Sequence, residues 1–120
     1  MSNSGCSSGA LNAWNNNLKR DAYDAFSQNL ADVSKHFRKN WGIKFQIISP
    51  MNEPYNYYWS AYSDKQEGCH FDQGDSQSKI IIALKKVLGK KGFSDIEISA
   101  ADETSIDSKF YSYHKLKWWS

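Results

Sequence analysis

The sequence has few of the features that mark membrane, metal-binding or secretory chains. It contains two cysteines, Cys6 and Cys69, without zinc-site spacing, so a disulfide bridge and two free thiols remain equally open. No apolar run approaches the roughly 20 residues needed to span a bilayer. The N-terminus also lacks the basic and apolar regions of a secretory signal. We therefore expect no metal, no membrane span and no signal peptide in this chain.

Strong charge is lacking as well. The formal net charge is +2, which is too small to indicate a nucleic-acid partner. Basic residues occur in short clusters, such as Lys85 with Lys86, and these are typical of solvated helix surfaces. A basic, aromatic nucleic-acid binder therefore stays only as a rival hypothesis. With 40% hydrophobic residues, the chain is expected to be globular.

The first half of the chain predicts a helix followed by a strand. Apolar residues recur at steps of three and four over residues 18–40, which is typical of an amphipathic helix. Gly42 is placed to end this helix in a left-handed turn. The run 43–49 is too apolar for a sheet with one solvated face, with Ile43, Phe45 and Ile47 expected on one side and Ile48 on the other. The predicted helical stripe is Tyr23, Phe26, Leu30, Val33 and Phe37.

The second half repeats this order. A helix capped by Asp75 or Ser76 is predicted to run to Gly89, and a strand follows at residues 96–100. Helix, strand, helix and strand in this order indicate an α/β fold with parallel pairing. The apolar residues of the second helix are Ile80, Ile81, Leu84, Val87 and Leu88.

A long segment without periodicity, residues 50–74, connects the first strand to the second helix. Long connections inside compact units are usually functional, and this one leaves the carboxyl end of a strand, where parallel sheets build their sites. It carries Asn52 and Glu53 and then a row of aromatic rings. A positioned carboxyl group can protonate a glycosidic oxygen, and aromatic faces can stack on sugar rings. Taken singly, each signal more often marks a surface acid or packing.

The combination is more specific. "ISPMNEP", followed after an aromatic loop by "QEGCHF" and a helix, resembles glycoside hydrolase family 30, and within it the fungal endo-β-1,6-galactanase-like members. The resemblance implies a partial (β/α)8 TIM barrel of about two to three βα units over residues 1–107, with an unmatched tail at 108–120. It also implies a retaining enzyme that cleaves β-linked polysaccharide, such as β-galactan, without a cofactor.

The resemblance assigns roles to individual residues. Glu53 matches the catalytic acid/base, and Asn52 matches the partner of the sugar 2-hydroxyl. Trp59, Gln66 and Glu67 fall in the loop that lines the substrate cleft, although Glu67 could equally hold that loop by backbone hydrogen bonds. Tyr55 belongs to the same aromatic row and is predicted to contact substrate.

The same resemblance implies that the catalytic domain is incomplete. The family's nucleophile lies on a seventh strand, beyond the last residue of this chain, and Met1 corresponds to the end of a third strand. We therefore expect a fragment of a secreted enzyme, prone to self-association through exposed barrel edges. The alternative is a non-catalytic carbohydrate-binding or interaction fragment.

Overall fold

A computed structural model describes residues 18–54, 59, 70–71 and 75–100. A 3₁₀ turn at Arg20–Ala22 precedes helix α1 (Tyr23–Trp41), strand β1 (Ile47–Ile48), helix α2 (Asp75–Lys90) and strand β2 (Glu97–Ile98). This is the predicted order of helices and strands. Several predicted features lie outside the described residues, namely Tyr55, Gln66, Glu67, both cysteines and the 108–120 tail.

The two strands form a parallel pair joined through α2. Ile47 pairs with Glu97 and Ile48 pairs with Ile98. Glu97 N–H donates to Gln46 O at 2.9 Å, and Ser99 N–H donates to Ile48 O at 3.0 Å. The predicted parallel βαβ unit is therefore confirmed, and the carboxyl ends of both strands lie at one edge.

Strand β1 is shorter than the predicted 43–49, and the expected burial of both its faces is wrong in the described structure. Ile48 packs on the helices together with Ile98, and Phe45 packs on the same side. Ile43 and Ile47, expected to share a buried face with Phe45, are 46% and 58% exposed. The described helices cover only one face of the pair, which leaves Ile47 open. The self-association expected from such surfaces stays a prediction.

Helix α1 confirms the predicted stripe in part, since Tyr23, Phe26 and Leu30 are partly buried against the core. Its fully buried residues are Ser27, Ala31 and Ser34, whose spacing also follows the helical period. Ala31 lies in one buried cluster with Leu84, Val87 and Leu88 of α2, and Leu30 packs against that cluster. Val33, predicted to be buried, is 43% exposed. The predicted stop is confirmed, because Gly42 adopts φ 67° and its N–H donates to Phe37 O.

Helix α2 contributes residues to both buried apolar clusters. Of its predicted stripe, Ile80, Leu84, Val87 and Leu88 are buried and Ile81 is partly buried. The helix ends at Lys90, one residue beyond the predicted Gly89, and the left-handed residue is Gly92 at φ 78°. Phe93 N–H donates to Leu88 O at 2.8 Å and Gly92 N–H donates to Gly89 O at 3.2 Å, which is a Schellman termination. Phe93 thereby returns into the core beside Leu88.

Two ion pairs connect α1 to the segment after α2. Arg38 lies 2.8 Å from Asp95, and its guanidinium carbon is 4.5 Å from the centre of the Phe93 ring. Lys91 pairs with Asp32. The Arg38 guanidinium holds the pKa of the Asp95 carboxyl below its usual range, mainly through their hydrogen bond. The two helices are thus joined by surface charge as well as by the core.

A second apolar cluster lies beyond the carboxyl ends of the strands. Met51, Phe71 and Ile80 are its buried members, and Ala100 packs against them. Because Met51 follows β1 and Ala100 follows β2, this cluster supports the edge from which residues 52–54 leave. Neither described helix is long and apolar enough to cross a membrane.

Candidate active site

The candidate site is a turn of unusual backbone conformation that follows β1. Asn52 and Glu53 come directly after the buried Met51. Glu53 has φ 44°, and it is the one described non-glycine residue with positive φ. This left-handed conformation costs an L-residue roughly 1–2 kcal/mol and persists only where surrounding contacts impose it. Such strain is concentrated at functional sites, so the backbone itself marks Glu53.

Two hydrogen bonds, both donated by residues outside the turn, hold its backbone. Trp59 donates its indole Nε1–H to Glu53 O at 2.8 Å. Phe71 donates its main-chain N–H to Pro54 O at 2.9 Å. The consecutive carbonyls of Glu53 and Pro54 are therefore both fixed, and the peptide between them cannot rotate without breaking a bond.

Further contacts support the turn from each side. Before it, Ser49 Oγ donates to Met51 O at 2.9 Å. Behind it, Gln77 Nε2 donates to Phe71 O at 3.2 Å, from the first turns of α2. Pro54, Trp59 and Phe71 are all buried, so these bonds are shielded from competing water.

The functional side chains remain reachable from solvent. Asn52 is exposed and Glu53 is half-buried. A half-buried carboxyl group can exchange protons with water, and the fixed backbone limits where that group can lie. This arrangement suits proton transfer to a bound substrate.

Of the six predicted site residues, the structure describes Asn52, Glu53 and Trp59, and it brings Trp59 against the Glu53 backbone. Trp59 has no exposed surface, so a sugar could reach its ring only if neighbouring side chains moved. The predicted substrate contacts of all six residues stay predictions.

Sequence reasoning missed Phe71 and Gln77 as supports of the turn. A signal for Gln77 was present, because it precedes Ile80 and Leu84 by three and seven positions on the apolar stripe of α2. A polar residue on that stripe must find a partner inside. No comparable signal marked the main-chain N–H of Phe71.

No group of three or more potential metal ligands is present within residues 18–54, 59, 70–71 and 75–100.

Comparison with known proteins identifies the family. Residues 1–115 match O-Glycosyl hydrolase family 30. The chain belongs to this family. An endo-β-1,6-galactanase from Hypocrea rufa is 35% identical to this chain over 101 residues. The aligned region covers 84% of this chain and 19% of the galactanase. The chain therefore spans about a fifth of the length of that galactanase.

Solved structures show the same fold. The crystal structure of a conserved exported protein from Bacteroides fragilis superposes on this chain with a TM-score of 0.72 at 23% sequence identity. The superposition covers 82% of this chain and 19% of that protein. SrfJ from Salmonella typhimurium superposes with a TM-score of 0.57 at 21% identity, over 71% of the chain and 18% of SrfJ. The fold of the α/β unit described above therefore occurs in both solved structures.

Proposed function

We propose that this chain supplies the acid/base part of a retaining endo-β-1,6-galactanase-like active site. The observation that supports this most is the fixed, left-handed turn that presents Glu53 after a parallel strand. The match to the family and the similarity to a galactanase support the substrate class. In this proposal the βαβ unit is part of a (β/α)8 barrel, with the active site at the carboxyl ends of its strands.

Glu53 is proposed to act twice. Its protonated carboxyl group donates to the glycosidic oxygen as the bond breaks, and the resulting carboxylate then activates the water that releases the sugar. The held carbonyls of Glu53 and Pro54 keep the carboxyl group in one direction through both steps. Exposed Asn52 is placed one residue earlier, where its amide can hydrogen-bond a sugar hydroxyl.

A retaining reaction also needs a nucleophilic carboxylate roughly 5 Å from the acid/base. We propose that it comes from polypeptide outside these residues, since the chain spans only 19% of the length of the similar galactanase. The isolated chain would then bind β-1,6-galactan more readily than cleave it, and the parent polypeptide would be a secreted hydrolase.

The first test incubates the purified chain with β-1,6-galactan. Release of reducing sugar supports a complete enzyme, whereas retention on the polysaccharide without release supports a binding fragment. Absence of both rejects β-1,6-galactan as its partner.

The second test uses Glu53→Gln in a polypeptide that carries these residues together with the nucleophile. Loss of the proton donor should lower kcat by about 100-fold or more. Glu97→Gln makes the same chemical change at an exposed position on β2 and should leave kcat unchanged. Equal activity of the two variants would remove Glu53 from the mechanism.

A further inference from the structure

Gln77 occupies a position where an apolar side chain would be expected. It is 3% exposed and lies on the stripe of α2 that continues through Ile80 and Leu84 into the core. Its carboxamide makes one hydrogen bond, in which Nε2 donates to Phe71 O at 3.2 Å. Because that carbonyl can only accept, the orientation of the amide is determined.

The other half of the carboxamide is unsatisfied. Gln77 Oε1 is buried and has no hydrogen-bond partner within the described part of the chain. A buried acceptor without a partner destabilises a fold, and a methionine of similar length would avoid that loss. Stability alone therefore does not explain why this position is a glutamine. The hydrogen bond that its Nε2 donates is what distinguishes it from an apolar residue here.

That bond leads to the candidate acid. Phe71 accepts from Gln77 through its carbonyl and donates through its own N–H to Pro54 O at 2.9 Å. Pro54 follows Glu53, whose carbonyl is held separately by Trp59. Gln77 thus connects α2, which is anchored in the core at Ile80, to the residue after Glu53.

We propose that Gln77 is a positioning residue for Glu53. It acts through Phe71 and does not touch substrate. By fixing Phe71 against the rigid helix, it keeps the N–H of Phe71 directed at Pro54 O and so maintains the left-handed backbone of Glu53. The effect on the turn stands on the described contacts, whereas its effect on turnover rests on the proposed function.

The main test is Gln77→Met in the isotopically labelled chain. The HN–Hα coupling and backbone carbon shifts of Glu53 report the sign of φ, and they should move towards values averaged over left- and right-handed conformations. Exchange of the Phe71 amide hydrogen should speed up by about 10-fold or more, since its bond opens more often. The unfolding midpoint should change by less than about 4 °C, because one polar contact is lost together with one unsatisfied acceptor.

Gln28→Met is the matched control, because Gln28 is exposed on α1. It should leave the Glu53 signals and the Phe71 exchange rate unchanged. If Gln77→Met also leaves them unchanged, the proposal is wrong. Glu53 signals that shift by the same amount in Gln77→Met and Gln28→Met would also contradict the proposal.

Gln77→Glu provides a second, reversible test. The introduced carboxyl group can donate to Phe71 O only while it is protonated. The left-handed signals of Glu53 should therefore be present at low pH and lost as the pH rises, whereas Gln77→Met should show no such dependence. Signals that are independent of pH in both variants would overturn the proposal.

Turnover separates this proposal from the proposed function. In the polypeptide used for Glu53→Gln, Gln77→Met should lower kcat by about 10-fold with little change in KM, as expected for a misdirected catalytic group. Unchanged kcat would overturn the positioning role in catalysis. If the Glu53 signals move in Gln77→Met but the unsubstituted polypeptide neither binds nor cleaves galactan, the proposed function fails and the positioning of the turn stands.

Discussion

The indole Nε1–H of Trp59 donates to the main-chain oxygen of Glu53 at 2.8 Å. One of the aromatic side chains in the loop after β1 therefore turns inward and holds the backbone of the candidate acid. Trp59 is fully buried, so this bond forms in surroundings where water does not compete for the carbonyl.

Replacing Trp59 by phenylalanine should weaken the fold. The substitution removes the donor to Glu53 O, at about 1 kcal/mol, and leaves part of the indole volume empty, so a total loss of roughly 2–3 kcal/mol is expected. Urea denaturation measures the change. Trp41→Phe is the matched control because Trp41 is 60% exposed, and its effect should stay within about 0.5 kcal/mol. Equal effects of the two substitutions would show that the buried indole bond contributes nothing.

Two serines of α1 should respond oppositely to alanine. Ser27 is fully buried and its Oγ has no hydrogen-bond partner among the residues that the structure describes. Ser27→Ala should therefore stabilise the chain by roughly 1 kcal/mol, since alanine is also the better helix former. Ser34 is also buried, but its Oγ donates to Leu30 O at 2.9 Å. Ser34→Ala should therefore be near neutral or slightly destabilising. Thermal melts of both variants make the comparison, and a destabilised Ser27→Ala would contradict the expectation.

Two glycines near the end of α2, Gly89 and Gly92, should respond differently to substitution by alanine. Gly92 has φ 78° and a Cβ added there would meet no atom within 4 Å, so Gly92→Ala should cost about 1 kcal/mol from backbone strain alone. At Gly89 an added Cβ would meet Ser94 Oγ at an ordinary 3.9 Å, and Gly89→Ala should stabilise the helix by about 0.5–1 kcal/mol. Denaturant midpoints measure both. The prediction fails if the two variants shift in the same direction.

The Arg38 and Asp95 pair should make stability depend on pH in the acid range. The pKa of Asp95 is lowered by the Arg38 hydrogen bond, so the pair's contribution is present above the ordinary aspartate pKa of about 3.9 and is lost as pH falls through the lower folded value. Asp95→Asn should reduce the loss of stability between about pH 4.5 and pH 2.5.

Arg38→Met tests the cause of that dependence. Without the guanidinium the lowering of the Asp95 pKa should largely disappear, so adding Asp95→Asn to Arg38→Met should not alter the acid profile further. An acid profile of Asp95→Asn that matches the unsubstituted chain would show that the pair has no influence. Because Asp95 is exposed, high salt should weaken the effect.

Local patterns predicted a large part of the fold. The spacing of Ile80, Leu84 and Leu88 placed one face of α2 in the core, and Gly42 marked the end of α1. The alternation of helices and strands predicted parallel pairing, since a helical crossover returns the chain in the same direction. The run around Asn52 and Glu53 predicted both the family and the position of the candidate acid.

Other features depended on contacts between distant residues. Tyr23, Phe26 and Leu30 indicated one face of α1 and are partly buried there, whereas the buried residues of α1 are Ser27, Ala31 and Ser34. The burial expected for Ile43 and Ile47 is not found in the described structure, because α1 and α2 cover one face of the strand pair and burial of both residues requires a covered second face.

The amino-acid sequence alone determined the family and the order of helices and strands. It also identified the residue that is proposed to transfer the proton. How that residue is held depends on the folded arrangement. The bonds from Trp59 to Glu53 and from Phe71 to Pro54 join the turn to residues outside it, and both are accepted by main-chain carbonyls that every residue type shares. Sequence patterns cannot distinguish main-chain atoms, so the left-handed turn of Glu53 and its support from Gln77 are visible only in the folded chain.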